Sequence, residues 1–286
     1  DSSLPQLYLI DGFKEKSLTK NYDFNLEYSH EYIGDISDYC NILIVKAKNS
    51  KKFILFPHGG PHGMTNNGYN KRALLFALNG YNVVHINYIG STGLPPASIK
   101  KIFGNCGKAD LETLVQTANY IRKKFSPEKL GIWGFSHGGF LSTHMAAKHS
   151  DLIDFAVIGA PVTNFVSSFF SCDIPDWALD ESGINENWYA EKKLDKESFD
   201  KMWDMSPMKY IDVVDVPVLI IHGSTDRRVP IGQSIELYTA LRRMGKKVKF
   251  YQYDENGHSF KHTSAADDMI AVSLDFFEDP DKVTSQ

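Results

Sequence analysis

A serine held between glycines is the first place where this sequence could do chemistry: Gly134-Phe135-Ser136-His137-Gly138. A hydroxyl set on a sharp strand-to-helix turn needs neighbours without bulk, so that the backbone folds tightly and leaves the oxygen exposed. Such a serine stays a weak nucleophile until a base takes its proton. Ten histidines are available. Where this turn is used the chain order is serine, acid, histidine, which leaves His137, His144, His149, His222, His258 and His262. His258 follows a strand-like run ending near Tyr253, in the loop Glu255-Asn256-Gly257-His258, with a helical pattern after it. His222 also follows such a run but precedes the acid candidate. His144 and His149 look helical and read as packing or surface residues, and His262 is the reserve.

The acid must hold the imidazole in one tautomer and stabilise the imidazolium that forms. Asp226, in Gly223-Ser224-Thr225-Asp226-Arg227-Arg228, lies just past the apolar run Val218–Ile221 and is expected to serve. The plain alternative is an aspartate capping an ordinary Ser/Thr-rich turn. Asp254 is nearer His258 in sequence, but it ends the histidine's own strand and is poorly placed to reach Nδ1. The developing oxyanion needs preset donors. One is expected from the backbone N–H of His137, the other from Gly60 in His58-Gly59-Gly60-Pro61. The side chains of His58, His62 and His137 are not expected to act as bases.

These residues need a scaffold, and the surrounding pattern supplies one. From about residue 51, short apolar runs alternate with longer helical stretches. Strands are expected at Phe53–Phe56, Val83–Tyr88, Leu130–Trp133, Phe155–Ile158, Val218–Ile221 and Val248–Tyr253. Helices are expected at Asn70–Leu78, Asp110–Lys124, Gly139–Lys148, Ile231–Met244 and Ala265–Phe277. In Asp110–Lys124, Leu111, Leu114, Val115, Ala118 and Ile121 share one helical face. Alternation of this kind predicts an α/β fold, a mostly parallel, doubly wound sheet with helices on both faces. Ligands of such sheets sit beyond the carboxyl ends of the strands, where every candidate residue above falls.

Residues 1–50 read as a linker and edge hairpins, with 1–30 preceding a single domain over 31–286. Residues 162–210 are aromatic and acidic with little period, and carry Phe165, Phe169, Phe170, Trp177, Trp188 and Trp203. An insertion there would roof the strand ends. The 286 residues are 42% hydrophobic with a net charge of −4, enough for a large core and without the basic excess of a nucleic-acid binder. Cys40, Cys106 and Cys172 are too few and scattered for a disulfide framework or a metal site, and read as reduced thiols of a cytoplasmic protein. No apolar run is long enough to span a membrane, and no signal peptide is visible. The opening Asp1, in place of Met, reads as belonging to a piece of something longer.

Taken together, HGGPHG at 58–63, NYIGSTG at 87–93, GFSHGGF at 134–140, STDRRVP at 224–230 and NGHSF at 256–260 resemble the prolyl-oligopeptidase family. The segment APVTNFVSSFFSCDIPDWALDESG at 160–183 resembles its acylaminoacyl-peptidase branch in particular. The resemblance implies an α/β-hydrolase fold and release of an N-acylated, commonly N-acetylated, amino acid from the front of short peptides. It implies a triad of Ser136, Asp226 and His258, with Arg228, two places after the acid, binding a substrate carbonyl. It also implies a pocket for the acylated residue drawn from Phe165, Phe169 and Trp177. No metal or organic cofactor is required. Two departures stand out. Ile89 occupies the place of the family's arginine, so a local ion pair must be replaced or lost. The β-propeller that precedes the hydrolase domain in this family is absent from this sequence. Homo-oligomerisation is open. Rival readings are a carboxylesterase on the same scaffold, a dipeptidyl or oligopeptidase of the same family, and a catalytically dead fold used as a binding module.

Overall fold

The computed structural model describes residues 8–11, 14–17, 27–32, 40–184 and 193–282; much of the expected 1–30 linker, and Trp188, lie outside the described residues. A short hairpin, β1 (Tyr8–Asp11) with β2 (Lys14–Ser17), forms a sheet of its own. The main sheet holds eight strands in the order β10-β9-β8-β7-β5-β6-β4-β3. Its first two in sequence, β3 (Glu27–Tyr32) and β4 (Asn41–Lys46), are antiparallel at one edge. The sheet therefore begins before residue 31. The motif EYSHEY of β3 is too polar to announce a strand, as suits an edge position.

The other six strands are parallel: β5 (Lys52–Pro57), β6 (Tyr81–Asn87), β7 (Lys129–Phe135), β8 (Phe155–Gly159), β9 (Val218–Gly223) and β10 (Val248–Tyr253). Apolar on both faces, they read as continuous hydrophobic runs, because helices cover each side. The period of two sorts their side chains into two cores. Phe53, Leu55, Leu130, Ile132, Ile158 and Ile220 point to one, Ile54, Phe56, Trp133, Val157, Leu219 and Ile221 to the other.

Over the second core lie α1 (Lys71–Leu78), through Ala73, Phe76 and Ala77, and the last long helix, Thr263–Glu278, through Met269, Ile270, Phe276 and Phe277. After α2 (Pro96–Ile102), α3 (Ala109–Phe125) covers the first core with Leu111, Leu114, Ala118 and Ile121, while Val115 is only half-buried at its margin. Beside it run α4 (His137–Lys148) and a helix over Gly232–Arg243. No helix of the described residues is long and apolar enough to cross a membrane.

The 162–210 insertion is helical where the sequence pattern showed little period. It carries α5 (Phe165–Ser171), α6 (Pro175–Ser182) and α7 (Lys196–Met205), followed in the chain by α8 (Gly232–Arg243) and α9 (Thr263–Glu278). They are seven, eight and ten residues long, about two to three turns each. Local signals mark their ends. Asn164 caps α5, Pro175 opens α6, left-handed Gly183 closes it, and Asp195 caps α7.

Candidate active site

Strand β7 ends at the centre of the sheet, and the chain turns there through Ser136 at φ +61° and ψ −122° before α4 begins. A positive φ is costly for a residue with a Cβ and persists only where its surroundings impose it. Here Ser136 N–H donates to Gly159 O of β8 at 2.9 Å, and Phe140 N–H donates back to Ser136 O at 2.9 Å. Helix α4 passes so close to the next strand that a Cβ on Gly138 would stand 2.4 Å from Pro57 O.

Strand β5 neighbours β7, so the His58-Gly59-Gly60 turn that follows it stands against this elbow. A Cβ on Gly59 would lie 3.4 Å from Ser136 Cβ, and Gly60 has φ +132°. Tyr88 holds the turn from below. Its hydroxyl donates to His58 O at 2.8 Å and its ring stacks on the His58 ring at 4.4 Å. Burial lowers His58 to about 4, only partly offset by the Gly59 carbonyl, so its ring is neutral at pH 7 and bonded to Ser91 Oγ at 2.7 Å.

Beyond β8, the loops after β9 and β10 are tied together by Ser224 N–H to Tyr253 O (2.9 Å) and Thr225 N–H to Asn256 O (3.0 Å). They bring His258 Nδ1 to 2.7 Å from Asp226 Oδ2, and His258 Nε2 to 3.0 Å from Ser136 Oγ. The carboxylate can only accept, so Nδ1 carries the proton and Nε2 turns a lone pair to the serine hydroxyl. Asp226 Oδ1 accepts the backbone N–H groups of Arg228 at 2.9 Å and Val229 at 3.0 Å. Burial works to raise this carboxyl, but donors from His222, His258 and Val229 and the charge of His258 outweigh it and hold the group well below the usual carboxylate range. Asp254 is turned elsewhere, accepting from Gln252 Nε2 at 3.0 Å.

Sequence reasoning set His222 aside, yet its buried Nε2 lies 3.3 Å from Asp226 Oδ2. The available signal was its spacing of four residues before the acid, at the carboxyl end of a strand. Asp110 was also missed as a partner. The His137 ring points away from the serine, with Nε2 2.9 Å from Asp110 Oδ2 in a fully buried pair. Asp110 Oδ1 accepts Gly107 N–H at 2.7 Å and Leu111 N–H at 2.9 Å. Cys106, Asp110 and His137 bring donor atoms within 4.8 Å of one another. Burial, with Asp110 and Glu181 nearby, pushes the Cys106 thiol well above its ordinary value, and a metal needs the thiolate. The remaining candidates lie apart from the serine: His144 is buried and bonded to Met205 O at 3.0 Å, and His262 adjoins the start of α9.

Ser136, His137, Gly60 and His258 open on a cavity of about 290 Å³, whose apolar wall includes Val162, Ile174 and Trp177. Arg228 lines it too, its Nε donating to Asp173 Oδ1 at 2.7 Å with both side chains half exposed. Phe165 and Phe169 do not reach the cavity. Phe165 is buried and stacks beneath Trp177 at 5.2 Å, and Phe169 packs on Phe170 at 4.8 Å. Ser168 and Cys172 take the lining positions of that segment, because a helix presents only one face to the opening.

The sequence pattern of the prolyl oligopeptidase family matches residues 67–281. The chain belongs to that family. It is 33% identical over 226 residues to the acylamino-acid-releasing enzyme of Rattus norvegicus, covering 78% of this chain and 30% of that protein. With the human protein of the same name it shares 30% identity over 225 residues. The chain thus spans about 30% of the length of these relatives. Among solved structures, Pyrococcus horikoshii acylaminoacyl peptidase superposes with a TM-score of 0.80 at 25% identity, over 99% of this chain and 49% of that one. An acylaminoacyl peptidase in complex with Z-Gly-Gly-Phe-chloromethyl ketone gives 0.79 at 25% identity, over 97% and 48%. The fold is that of the α/β hydrolases.

The Ile89 side chain is buried, and its N–H faces Thr113 Oγ1 at 3.4 Å. The buried Glu181 of α6 meets His62 Nε2 at 3.1 Å and Cys106 Sγ at 3.3 Å. The Glu181 hydrogen bond raises His62 above the usual histidine value despite partial burial. That contact joins the HGGPHG turn to the helix that bears Trp177.

Proposed function

We propose that this chain is a serine peptidase domain that releases an N-acylated, commonly N-acetylated, amino acid from the front of short peptides through an acyl-enzyme on Ser136. The observation that carries the reading is the relay Asp226–His258–Ser136, closed at 2.7 and 3.0 Å above an open cavity. With His258 as base, Ser136 Oγ attacks the carbonyl of the acylated residue. The N–H groups of Gly60 and His137 hold the oxyanion, and His258 Nε2–H then protonates the leaving amine. Water repeats the sequence to free Ser136.

The pocket supports a blocked rather than a free amino terminus. None of the described residues lining it is acidic, and the half-exposed Asp173 beside it is held by Arg228. Trp177 contributes the apolar wall for the first side chain, and Arg228 a donor for a substrate carbonyl. The relatives named for release of acylamino acids are in keeping with this reading. It includes a β-propeller partner that would limit peptide length, and a reducing compartment, the cytoplasm, in keeping with three cysteines that form no disulfide.

Hydrolysis of acetyl-alanyl and free alanyl p-nitroanilide by the 286-residue chain tests the reading, with a nitrophenyl ester as third substrate. Selective cleavage of the acetylated anilide is expected. Cleavage of the ester alone would make the chain a carboxylesterase, and preference for the free amine would overturn the substrate class.

A further inference from the structure

His222 is the fifth residue of β9, and its ring is fully enclosed. Nε2 lies 2.8 Å from Val229 O and 3.3 Å from Asp226 Oδ2, while Nδ1 lies 2.7 Å from Ser234 Oγ. A carbonyl and a carboxylate have no proton to offer, so the imidazole proton sits on Nε2, bonded to Val229 O with Asp226 Oδ2 the longer contact. The neutral ring then accepts the Ser234 hydroxyl proton at Nδ1. Ser234, on α8, thus anchors the ring from outside the Ser136–His258–Asp226 relay.

The consequence falls on Asp226. With His222 included, its two oxygens face four donors: Arg228 and Val229 N–H on Oδ1, His258 Nδ1–H and His222 Nε2–H on Oδ2. Rotation of the carboxylate would sacrifice at least one of them. We infer that His222 is a positioning residue for the triad acid: its Nε2–H, on a ring anchored by Ser234, pins Asp226 Oδ2 in line with His258 and disperses part of the carboxylate charge. The inference rests on the reading of Ser136, His258 and Asp226 as the triad. The titratable groups that face Asp226 are His222 from β9 and His258 from the loop after β10, and the nearby Arg228 guanidinium is turned to Asp173.

The test is the rate of Ser136 labelling by a fluorophosphonate across pH, with circular dichroism to confirm folding. His222→Leu fills the space without a donor and is expected to slow labelling roughly ten- to hundredfold, the scale of one hydrogen bond to a charged group. Its acid limb should move to higher pH, since a carboxylate with one donor fewer holds the His258 imidazolium more tightly. His222→Gln offers an amide N–H and a carbonyl oxygen in place of the two ring nitrogens and should recover most of the rate. Ser234→Ala, which removes the anchor on Nδ1 without emptying the strand, should slow labelling by a few fold and move the limb in the same direction. A folded His222→Leu with wild-type rate and limb overturns the inference, as does a His222→Gln no better than His222→Leu. Should His222→Leu fail to fold, an unchanged Ser234→Ala profile does the same. Wild-type protein that does not label at Ser136 refutes the triad reading first, and the role of His222 with it.

Discussion

Two carboxylate–histidine pairs stand next to Ser136, and their own geometry hardly separates them. Asp226 holds His258 at 2.7 Å, and Asp110 holds His137 at 2.9 Å. Each aspartate also accepts two backbone N–H groups on its other oxygen. The surroundings differ. The His258 side chain is 24% exposed and has its second nitrogen on the serine, whereas the His137 side chain is 0% exposed and its Nδ1 has no partner among the described residues. A base has to meet the proton it moves, so of the two only the first pair is placed for the proposed chemistry. The second anchors the start of α4, and with it the residue whose backbone N–H is proposed for the oxyanion. The same two residue types serve chemistry at an open edge and architecture in a sealed one.

The sharpest way to break this contrast is to remove each carboxylate in turn. Asp226→Asn should lower Ser136 labelling by about 10⁴-fold with the fold intact, because the amide no longer selects the working tautomer of His258. Asp110→Ala should act on stability. Leaving His137 and two amides without their partner in the interior is expected to cost about 3–5 kcal/mol in urea unfolding, with far less change in the labelling rate of the folded enzyme. Equal losses of labelling in the two variants would dissolve the distinction.

His85 marks a further limit, a buried histidine without a carboxylate. It sits in β6, edge-on to Phe56 at 5.0 Å. Burial, with a smaller contribution from His58, lowers it from 6.5 to about 4. Its folded value is below its unfolded one, so between those values the unfolded chain binds more protons. Stability is full above pH 6.5 and should fall as the pH drops towards 4, by on the order of 3 kcal/mol from this group. His85→Leu should flatten that slope in unfolding curves taken at successive pH values.

The smallest effect concerns the cavity, on the open side of the comparison. Trp177→Ala should raise KM for acetyl-phenylalanyl anilide by about tenfold, the scale of a partly lost apolar contact, while leaving kcat for acetyl-alanyl anilide nearly unchanged. A uniform fall in kcat would mean that Trp177 supports His137, 6.2 Å away, more than the substrate.

The open pair was legible in the sequence and the sealed one was not. Ser136, Asp226 and His258 each follow an apolar strand-length run, and the glycines around them announce the turns. The parallel strands and long helices were equally readable, since an apolar run of strand length and a three-turn amphipathic stretch each carry their own period. Asp110 gives no such signal: it opens a helix 27 residues before His137, as any acidic first-turn residue could. The helices over 162–210 carry signals mainly at their ends, in Asn164, Pro175, Gly183 and Asp195, and β3 is too polar to show a core face.

The sequence by itself determined the alternation of strands and helices, the sharp turn at Ser136 and the chain order of the three groups proposed to react, because these follow from local periodicity and from residues that only certain turns accept. The tertiary structure decided which histidines meet which aspartates. Strand β10 lies three places from β7 in the sheet, roughly 14 Å at the usual strand spacing, and only the loop tied through Thr225 and Asn256 carries His258 back to the serine. That same fold sends His222 to Asp226 and His137 to Asp110, and puts Ser168 and Cys172 at the pocket wall with Phe165 behind. Partnerships between residues far apart in the chain are set by sheet order and by which side of a helix faces inward, and local sequence encodes neither.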